Sequence, residues 1–157
     1  MAIAASYPEF LVSTEWLARH LYDPRVRVLD PTTLLIPVPD YSRYDTVPAR
    51  ADFEKGHVPG AAFVDVQAEL STPDAHLRFM LPDAQTFAGV MAGYGVSDDS
   101  FVVAYSTGNH WWATRLWWML RVFGHERVAV LDGGLQKWLA EKRPVETGAA
   151  APRAAGR

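Results

Sequence analysis

Short apolar runs alternate with amphipathic stretches along most of this chain. Four runs rich in aliphatic and aromatic residues predict buried strands, at residues 26–29, 61–65, 101–105 and 127–131. Several of the stretches between and after them carry apolar side chains at helical spacing, and these predict helices. Strands that alternate with helices indicate an α/β domain whose parallel sheet is covered on both faces.

Capping residues and apolar periodicity place the helices more closely. Ser13 and Asp83 are typical N-cap residues and predict the starts of two helices. A brief helix is predicted over residues 49–55. Residues 112–123 are apolar nearly all round, which is typical of a helix buried on most of its surface. A last helix is predicted after the turn at residues 132–134.

Two regions lack this pattern. Residues 31–48 contain prolines at positions 31, 37, 39 and 48, and they predict an irregular surface excursion without regular elements. Residues 147–157 are rich in alanine, show no apolar periodicity and predict a linker-like tail. The sequence thus divides into an N-terminal extension of residues 1–9, one domain of residues 10–146, and the tail of residues 147–157.

Composition narrows the class of protein. A chain of 157 residues is long enough for one domain with its own core. The net charge is −3 and the basic residues are scattered, so no nucleic-acid footprint is predicted. No apolar run approaches the roughly 18 residues of a membrane helix. Residues 1–6 lack the basic start and long apolar centre of a secretory signal, so we expect a cytoplasmic protein that binds no membrane.

The chain contains no cysteine, which is its firmest chemical property. This absence excludes disulfides, thiolate metal sites and thiol catalysis by this chain. The histidines, at positions 20, 57, 76, 110 and 125, show no metal-ligand spacing. The sequence therefore predicts neither a metal nor another cofactor.

The candidate site follows the strand predicted at residues 101–105. There the chain enters a short polar loop and continues directly into a helix, an arrangement that α/β proteins use to bind anions. The first loop residue, where this architecture places a nucleophile, is Ser106. The residues predicted to surround an anion at this turn are Ser106, Thr107, Gly108, Asn109, His110 and Arg115.

A serine hydrolase is an alternative interpretation of the same turn. Residues 104–108 resemble half of a nucleophile elbow, with Ala104 in place of the first glycine. That fold needs an acid and then a histidine later in the chain. The last histidine is His125, so no base follows Asp132, and the sequence favours this alternative least.

Four phrases, taken in order, carry a resemblance to a known family: residues 11–17, 57–61, 117–125 and 130–134. Together they resemble the N-terminal module of tandem rhodanese sulfurtransferases. The likeness extends over residues 10–146. It implies the rhodanese-like three-layer fold, in which helices cover both faces of a parallel sheet of about five strands.

The resemblance also implies a division of labour. In this family the C-terminal module carries sulfur as a persulfide on a cysteine that opens its strand-to-helix loop, and Ser106 is the matching position here. The resemblance implies that this chain is the non-catalytic half of a thiosulfate or 3-mercaptopyruvate sulfurtransferase. Its partner is then a C-terminal rhodanese module. Trp111 and Trp112 would face that module as interface or pocket-wall residues.

A second interpretation remains open. The chain is then a free-standing rhodanese-like module that docks an anion or a protein partner through residues 106–112. Under either interpretation the turn is expected to bind thiosulfate or sulfate only weakly, because a helix N-terminus contributes about 0.3–2 kcal/mol toward an anion.

Overall fold

The computed structural model describes residues 8–73, 76–150 and 156. In chain order these residues form β1 (Leu11–Val12), α1 (Thr14–His20), β2 (Val26–Asp30), β3 (Thr33–Pro37), β4 (Tyr44–Pro48), α2 (Arg50–Lys55), β5 (Ala62–Phe63), α3 (Val66–Glu69), α4 (Ala84–Gly93), β6 (Phe101–Ala104), α5 (Trp111–Val122), β7 (Val128–Leu131) and α6 (Gly134–Ala140).

A parallel five-stranded sheet forms the centre of the domain. Its strand order is β1-β7-β6-β2-β5, and every neighbouring pair is parallel. Both edges are strands of only two residues, β1 and β5. The predicted α/β class, with a five-stranded parallel sheet and helices on both faces, is confirmed.

The sheet separates two hydrophobic cores because successive side chains of a strand point to opposite faces. On β6, Phe101 and Val103 pack with α1, α2 and α6, and Val102 and Ala104 pack with α3, α4 and α5. Every residue of β6 and β7 is buried. Burial on both faces explains why these strands are continuous apolar runs in the sequence.

Both predicted helix caps are present. The Ser13 hydroxyl accepts the amide of Trp16 at 3.0 Å, and the Asp83 carboxylate accepts the amide of Thr86 at 2.8 Å. Two short elements were not predicted. Strand β1 is too short to give a pattern, and helix α3 spans one turn whose cap, Asp65, accepts two amides.

The excursion at residues 31–48 is not irregular, so that prediction was wrong. Strands β3 and β4 form an antiparallel hairpin in which Leu34 pairs with Val47 and Ile36 with Asp45. The amide of Ala49 donates to the Thr32 carbonyl, and the amide of Val38 donates to the Arg43 carbonyl. These two bonds show which residue pairs of the hairpin are hydrogen-bonded, because hydrogen-bonded and non-hydrogen-bonded pairs alternate along an antiparallel ladder. Pro37 and Pro48 fall between the hydrogen-bonded pairs, where a missing N–H costs no ladder bond.

Helix α5 is less buried than its composition predicts. Trp112, Leu116 and Leu120 are buried against the sheet. On the opposite side Trp111 is 58% exposed and Trp118 42% exposed. Because α5 belongs to an outer layer, only one of its faces meets the sheet.

Part of the predicted tail lies against the domain. The backbone of Glu146 pairs with that of His57, and the amide of Gly148 donates to the carbonyl of Glu54 at 2.7 Å. Residues 1–7 of the extension, and 151–155 and 157 of the tail, lie outside the described residues. Within the described ranges, no helix combines the length and apolar character that a membrane span requires.

Candidate functional site

The candidate site lies at the carboxyl edge of the sheet, where β6 and β7 end side by side. Parallel strands bring the residues that follow them to one edge, which is where α/β folds bind ligands. A cleft of about 260 Å³ opens there between the β6–α5 and β7–α6 turns. Its polar lining residues are Ser106, Asn109, His110, Thr114, Asp132 and Gln136.

Ser106 is almost fully buried, with 4% of its surface exposed. Its Oγ accepts the amide of Ala113 at 2.7 Å, in the first turn of α5. Its carbonyl accepts the amide of Leu135 at 3.3 Å, which joins the two turns. Ser106 therefore acts as a side-chain cap for α5. No histidine or carboxylate among the described residues bonds this hydroxyl, so the triad of a hydrolase is not assembled around it.

Asn109 gives α5 a second side-chain cap. Its Oδ1 accepts the amide of Trp111 at 3.0 Å. Between the two caps, Gly108 has a φ of +84°, a left-handed conformation that glycine adopts without strain. The chain can thus turn sharply and bring both caps to the same helix end.

A third amide of the turn is also bonded within the domain. The amide of Thr107 donates to Thr32 Oγ1 at 2.9 Å, and that hydroxyl donates to Asp30 Oδ1 at 2.5 Å. The amide of Thr32 donates to the same carboxylate oxygen at 2.9 Å. A buried carboxylate at the end of β2 therefore positions the loop through Thr32.

Sequence reasoning missed Thr32, although a signal was present. An aspartate at a strand end, bonded by the residue two positions on, forms an Asx turn. Asp30 and Thr32 have this spacing. What the spacing alone does not contain is the contact with Thr107, which depends on β2 and β6 being neighbours.

Burial controls the ionisation of the groups beneath the loop. It raises the pKa of Asp30, and the hydrogen bonds from Thr32 oppose that effect without cancelling it. Burial and the nearby Asp30 charge raise the pKa of Tyr105 well above its ordinary value. Tyr105 therefore remains a neutral phenol in the core.

Arg115 does not line the cleft. Its guanidinium donates to the carbonyl of Phe79, and burial lowers its pKa. Phe79 has a φ of +59°, which is a strained conformation for a residue with a side chain. Arg115 thus binds the segment around Phe79 and does not contribute to the cleft.

The two predicted interface tryptophans have different surroundings. Trp112 is buried and packs on Phe79, with ring centroids 5.0 Å apart. Trp111 projects into solvent beside the loop. Only Trp111 has the exposure that an interface residue needs in the isolated chain.

The charges around the cleft do not favour an anion. The Asp132 carboxylate lines it and pairs with Lys137 Nζ at 2.7 Å. None of the residues described as lining the cleft is lysine or arginine. Three amide donors of the loop and first helical turn, those of Thr107, Trp111 and Ala113, are already bonded. Anion binding here remains a prediction.

The described part of the chain does not bring together three or more side chains that could hold a metal.

Comparison with known proteins defines the class. A family model for the rhodanese-like domain matches residues 13–141, and the chain belongs to this family. It is 38% identical over 142 residues to the sulfur carrier protein TtuD of Thermus thermophilus, covering 90% of this chain and 44% of that protein. It is 37% identical over 140 residues to the 3-mercaptopyruvate sulfurtransferase of Escherichia coli, covering 89% and 47%.

A solved structure agrees with the sequence comparisons. The crystal structure of the Escherichia coli 3-mercaptopyruvate sulfotransferase SseA matches with a TM-score of 0.82 and 35% identity, covering 96% of this chain and 54% of that one. The chain therefore spans about half the length of the curated relatives it matches. The resemblance found from the four sequence phrases is confirmed at the level of the family.

Proposed function

We propose that this chain is the non-catalytic, N-terminal type of module of a thiosulfate or 3-mercaptopyruvate sulfurtransferase, and that a second rhodanese-like module carries the sulfur. One observation carries the proposal. The loop position between β6 and α5 where the sequence resemblance places the nucleophile holds Ser106, and its hydroxyl serves as a helix cap. The chain contains no cysteine that could act instead.

The chemistry of oxygen and sulfur explains why Ser106 is a poor substitute. Sulfur transfer needs a nucleophile that is substantially anionic near neutral pH and that can hold a second sulfur atom. A thiolate with a lowered pKa meets both needs. A hydroxyl needs an adjacent base even to react, and the described neighbours of Ser106 Oγ provide only a backbone amide.

The outer face of α5 supports the docking of a second module. Trp111, Trp118 and Val122 are all exposed and lie on one stripe of the helix, which we call the α5 stripe. Arg115 lies over the Trp118 ring, 5.2 Å from its centroid. Tryptophan and arginine are enriched among the residues that dominate binding energy in interfaces. The stripe begins at Trp111, in the first turn of α5, so a module that covers it lies next to the Ser106 loop.

A first experiment tests catalytic silence. The purified chain is incubated with thiosulfate and cyanide, and thiocyanate is measured against a protein-free blank. We expect no thiocyanate above the blank and no mass increase of one sulfur atom on the protein. Turnover that disappears in Ser106→Ala contradicts the proposal.

A cytoplasmic location remains a prediction from the sequence alone.

A second experiment tests the supporting role. In the Escherichia coli relative, the half that this chain matches is replaced by residues 10–146 of this chain. We expect the chimera to transfer sulfur from 3-mercaptopyruvate, and Trp111→Ala with Trp118→Ala to lower its rate about tenfold, as the loss of one strong interface contact does. A chimera that folds but does not transfer sulfur favours the alternative of a free-standing binding module.

A further inference from the structure

Glu146 joins the segment that follows α6 to the turn that precedes β5. Its backbone amide and carbonyl both bond to the backbone of His57, at 3.0 and 2.9 Å. Its carboxylate reaches along the same turn, where Oε2 accepts the amide of Gly60 at 2.9 Å. Two residues later, the amide of Gly148 donates to the carbonyl of Glu54 at 2.7 Å. We call this set of contacts the Glu146 clasp.

The turn held by the clasp belongs to the buried core. His57 is 1% exposed, and its ring stacks on that of Phe53 with the centroids 3.8 Å apart. Its Nδ1 donates to the Phe53 carbonyl at 2.8 Å, since a carbonyl can only accept. The next residue, Val58, is fully buried. Glu146 therefore holds a part of the interior, although its own side chain is 53% exposed.

A continuous set of hydrogen bonds leads from this turn to the β6–α5 loop. The amide of Val58 donates to the Tyr105 hydroxyl at 3.4 Å, and that hydroxyl donates to the Asp30 carboxylate. The same carboxylate accepts the amide and the hydroxyl of Thr32. Thr32 Oγ1 then accepts the amide of Thr107, in the loop, at 2.9 Å. We call this set of bonds the buried route.

Burial allows the buried route to transmit a displacement. Val58 and Tyr105 are fully buried, and Asp30 and Thr32 are each 2% exposed. A buried polar group that loses its partner has no water to bond instead, and leaving it unpaired is costly. When one member of the route moves, its neighbours therefore move with it so that each bond is kept.

A second connection between the same two regions runs through α6. The indole of Trp138 donates to the Pro144 carbonyl at 2.7 Å, and the amide of Leu135 donates to the Ser106 carbonyl at 3.3 Å. Neither bond involves the side chain of Glu146. A change confined to the Glu146 carboxylate therefore tests the buried route and leaves the connection through α6 in place.

We propose that the Glu146 clasp and the β6–α5 loop are coupled through the buried route, so that releasing the clasp loosens the loop. Glu146 is not among the described residues that line the cleft, so it acts as a positioning residue. The clasp lies where the predicted linker-like tail begins. A pull on that tail therefore changes the wall of the cleft. This coupling concerns residues of this chain alone and does not depend on the proposed function.

Hydrogen exchange in Glu146→Ala is the first test. The variant removes the acceptor of the Gly60 amide and keeps both backbone bonds to His57. We expect the Thr107 amide to exchange about fivefold faster than in the parent, which is the lower end of ordinary coupling between two sites. Glu146→Gln keeps an oxygen acceptor and is expected to restore the parent rate. A faster Gly60 amide with an unchanged Thr107 amide overturns the proposal.

A matched control separates coupling from a general loss of stability. Asp83→Ala also removes an exposed carboxylate that accepts a backbone amide, but at the start of α4. The amide of Val102, buried in the sheet, reports global unfolding in both variants. We expect the Thr107 amide to accelerate more than the Val102 amide in Glu146→Ala only. Acceleration of Thr107 by the same factor in both variants shows a general effect and contradicts the coupling.

Tyr105→Phe tests the route itself. It keeps the buried ring and removes the hydroxyl that joins Val58 to Asp30. In this background we expect Glu146→Ala to leave the exchange of the Thr107 amide unchanged. A fivefold effect that persists without the hydroxyl shows that the signal does not pass through Tyr105, and the proposal is then wrong.

The reverse measurement leaves Tyr105 intact. Coupling between two sites is reciprocal, so loosening the loop must also weaken the clasp. In Thr32→Val, which removes the acceptor of the Thr107 amide, we expect the Gly60 amide to exchange about fivefold faster, beyond any change at Val102. A Gly60 amide that exchanges at the parent rate in this variant rules out the coupling.

Discussion

The two strand-to-helix turns that flank the cleft are built by different means. In the β6–α5 turn, Ser106 and Asn109 cap the helix with side chains, and Thr32 binds the loop from a neighbouring strand. The β7–α6 turn has no side-chain cap. It turns on Gly133 and Gly134, whose φ values are +80° and +56°.

This difference indicates which of the two turns tolerates amino-acid substitution better. The first turn is held by hydrogen bonds, each contributing on the order of 1 kcal/mol, so single changes should weaken it gradually. The second is fixed by close approach, since a Cβ on Gly134 would lie 2.5 Å from the Ser106 carbonyl oxygen. The β7–α6 turn is therefore the rigid one, and the β6–α5 turn, which packs against it, can tolerate more change.

The largest effect is expected from Gly134→Ala. The new Cβ meets the Ser106 carbonyl and the backbone must keep a positive φ, so we expect the free energy of unfolding to fall by about 2–4 kcal/mol. Urea denaturation measures it. The control is Gly89→Ala in α4, where nothing lies within 4 Å of the added Cβ and a gain of about 0.5–1 kcal/mol is expected. A Gly134→Ala protein as stable as the parent removes the steric distinction between the turns.

Thr32→Val comes next. It leaves the Thr107 amide without its acceptor and Asp30 without one donor, so we expect a loss of about 1–3 kcal/mol. Thr33→Val is the matched control, since Thr33 is also buried and its hydroxyl makes no hydrogen bond within the described residues. Equal stability losses for the two valine variants argue that the support from β2 is unimportant.

A smaller loss is expected from Ser106→Ala. Removing a side-chain cap typically costs about 1 kcal/mol, within a range of about 0.5–2 kcal/mol. The amide of Ala113 should exchange faster with solvent, because its acceptor is gone. The measurement is native-state hydrogen exchange with urea denaturation. An unchanged Ala113 amide shows that the first turn does not depend on its cap.

The smallest effect expected is a change in pH dependence through Asp30. Burial raises its pKa in the folded protein above the ordinary value of 3.8, so the folded state binds this proton more tightly than the unfolded state. Its contribution is therefore most favourable below pH 3.8 and is lost as the pH rises through the folded pKa. In Asp30→Asn we expect this downward slope to disappear.

Denaturation of both proteins across that pH range gives the comparison. Asparagine still accepts the Thr32 bonds through its Oδ1, so the supporting contacts are largely kept. Parallel stability curves for the two proteins show that Asp30 does not hold its proton as argued.

The parts of the fold that could be predicted are those whose structure is determined mainly by hydrophobic burial. The runs that became β6 and β7 are buried on both faces, so hydrophobicity alone marks them. The β3–β4 hairpin was not predicted because prolines such as Pro37 and Pro48 usually interrupt strands in a sequence pattern. In the structure the backbone nitrogen of each proline points away from the partner strand, so no ladder hydrogen bond is lost, and the sequence pattern does not reveal this.

The candidate site was predictable in location but less so in its contacts. The strand–loop–helix order correctly placed Ser106 between β6 and α5, although β6 ends at Ala104, one residue earlier than predicted. The direction of Arg115 could not be read from its spacing, because its partner is the carbonyl of Phe79 in a distant loop. The contribution of Thr32 likewise depends on strand order, which sequence periodicity does not contain.

The two-residue edge strands β1 and β5 have a consequence for the behaviour of the protein at high concentration. Each offers too little backbone for another chain to lengthen the sheet, so the aliphatic strands inside are protected from fibril growth. Self-association then has to proceed through side-chain contacts. Aggregates of the native protein should therefore disperse on dilution rather than mature into amyloid.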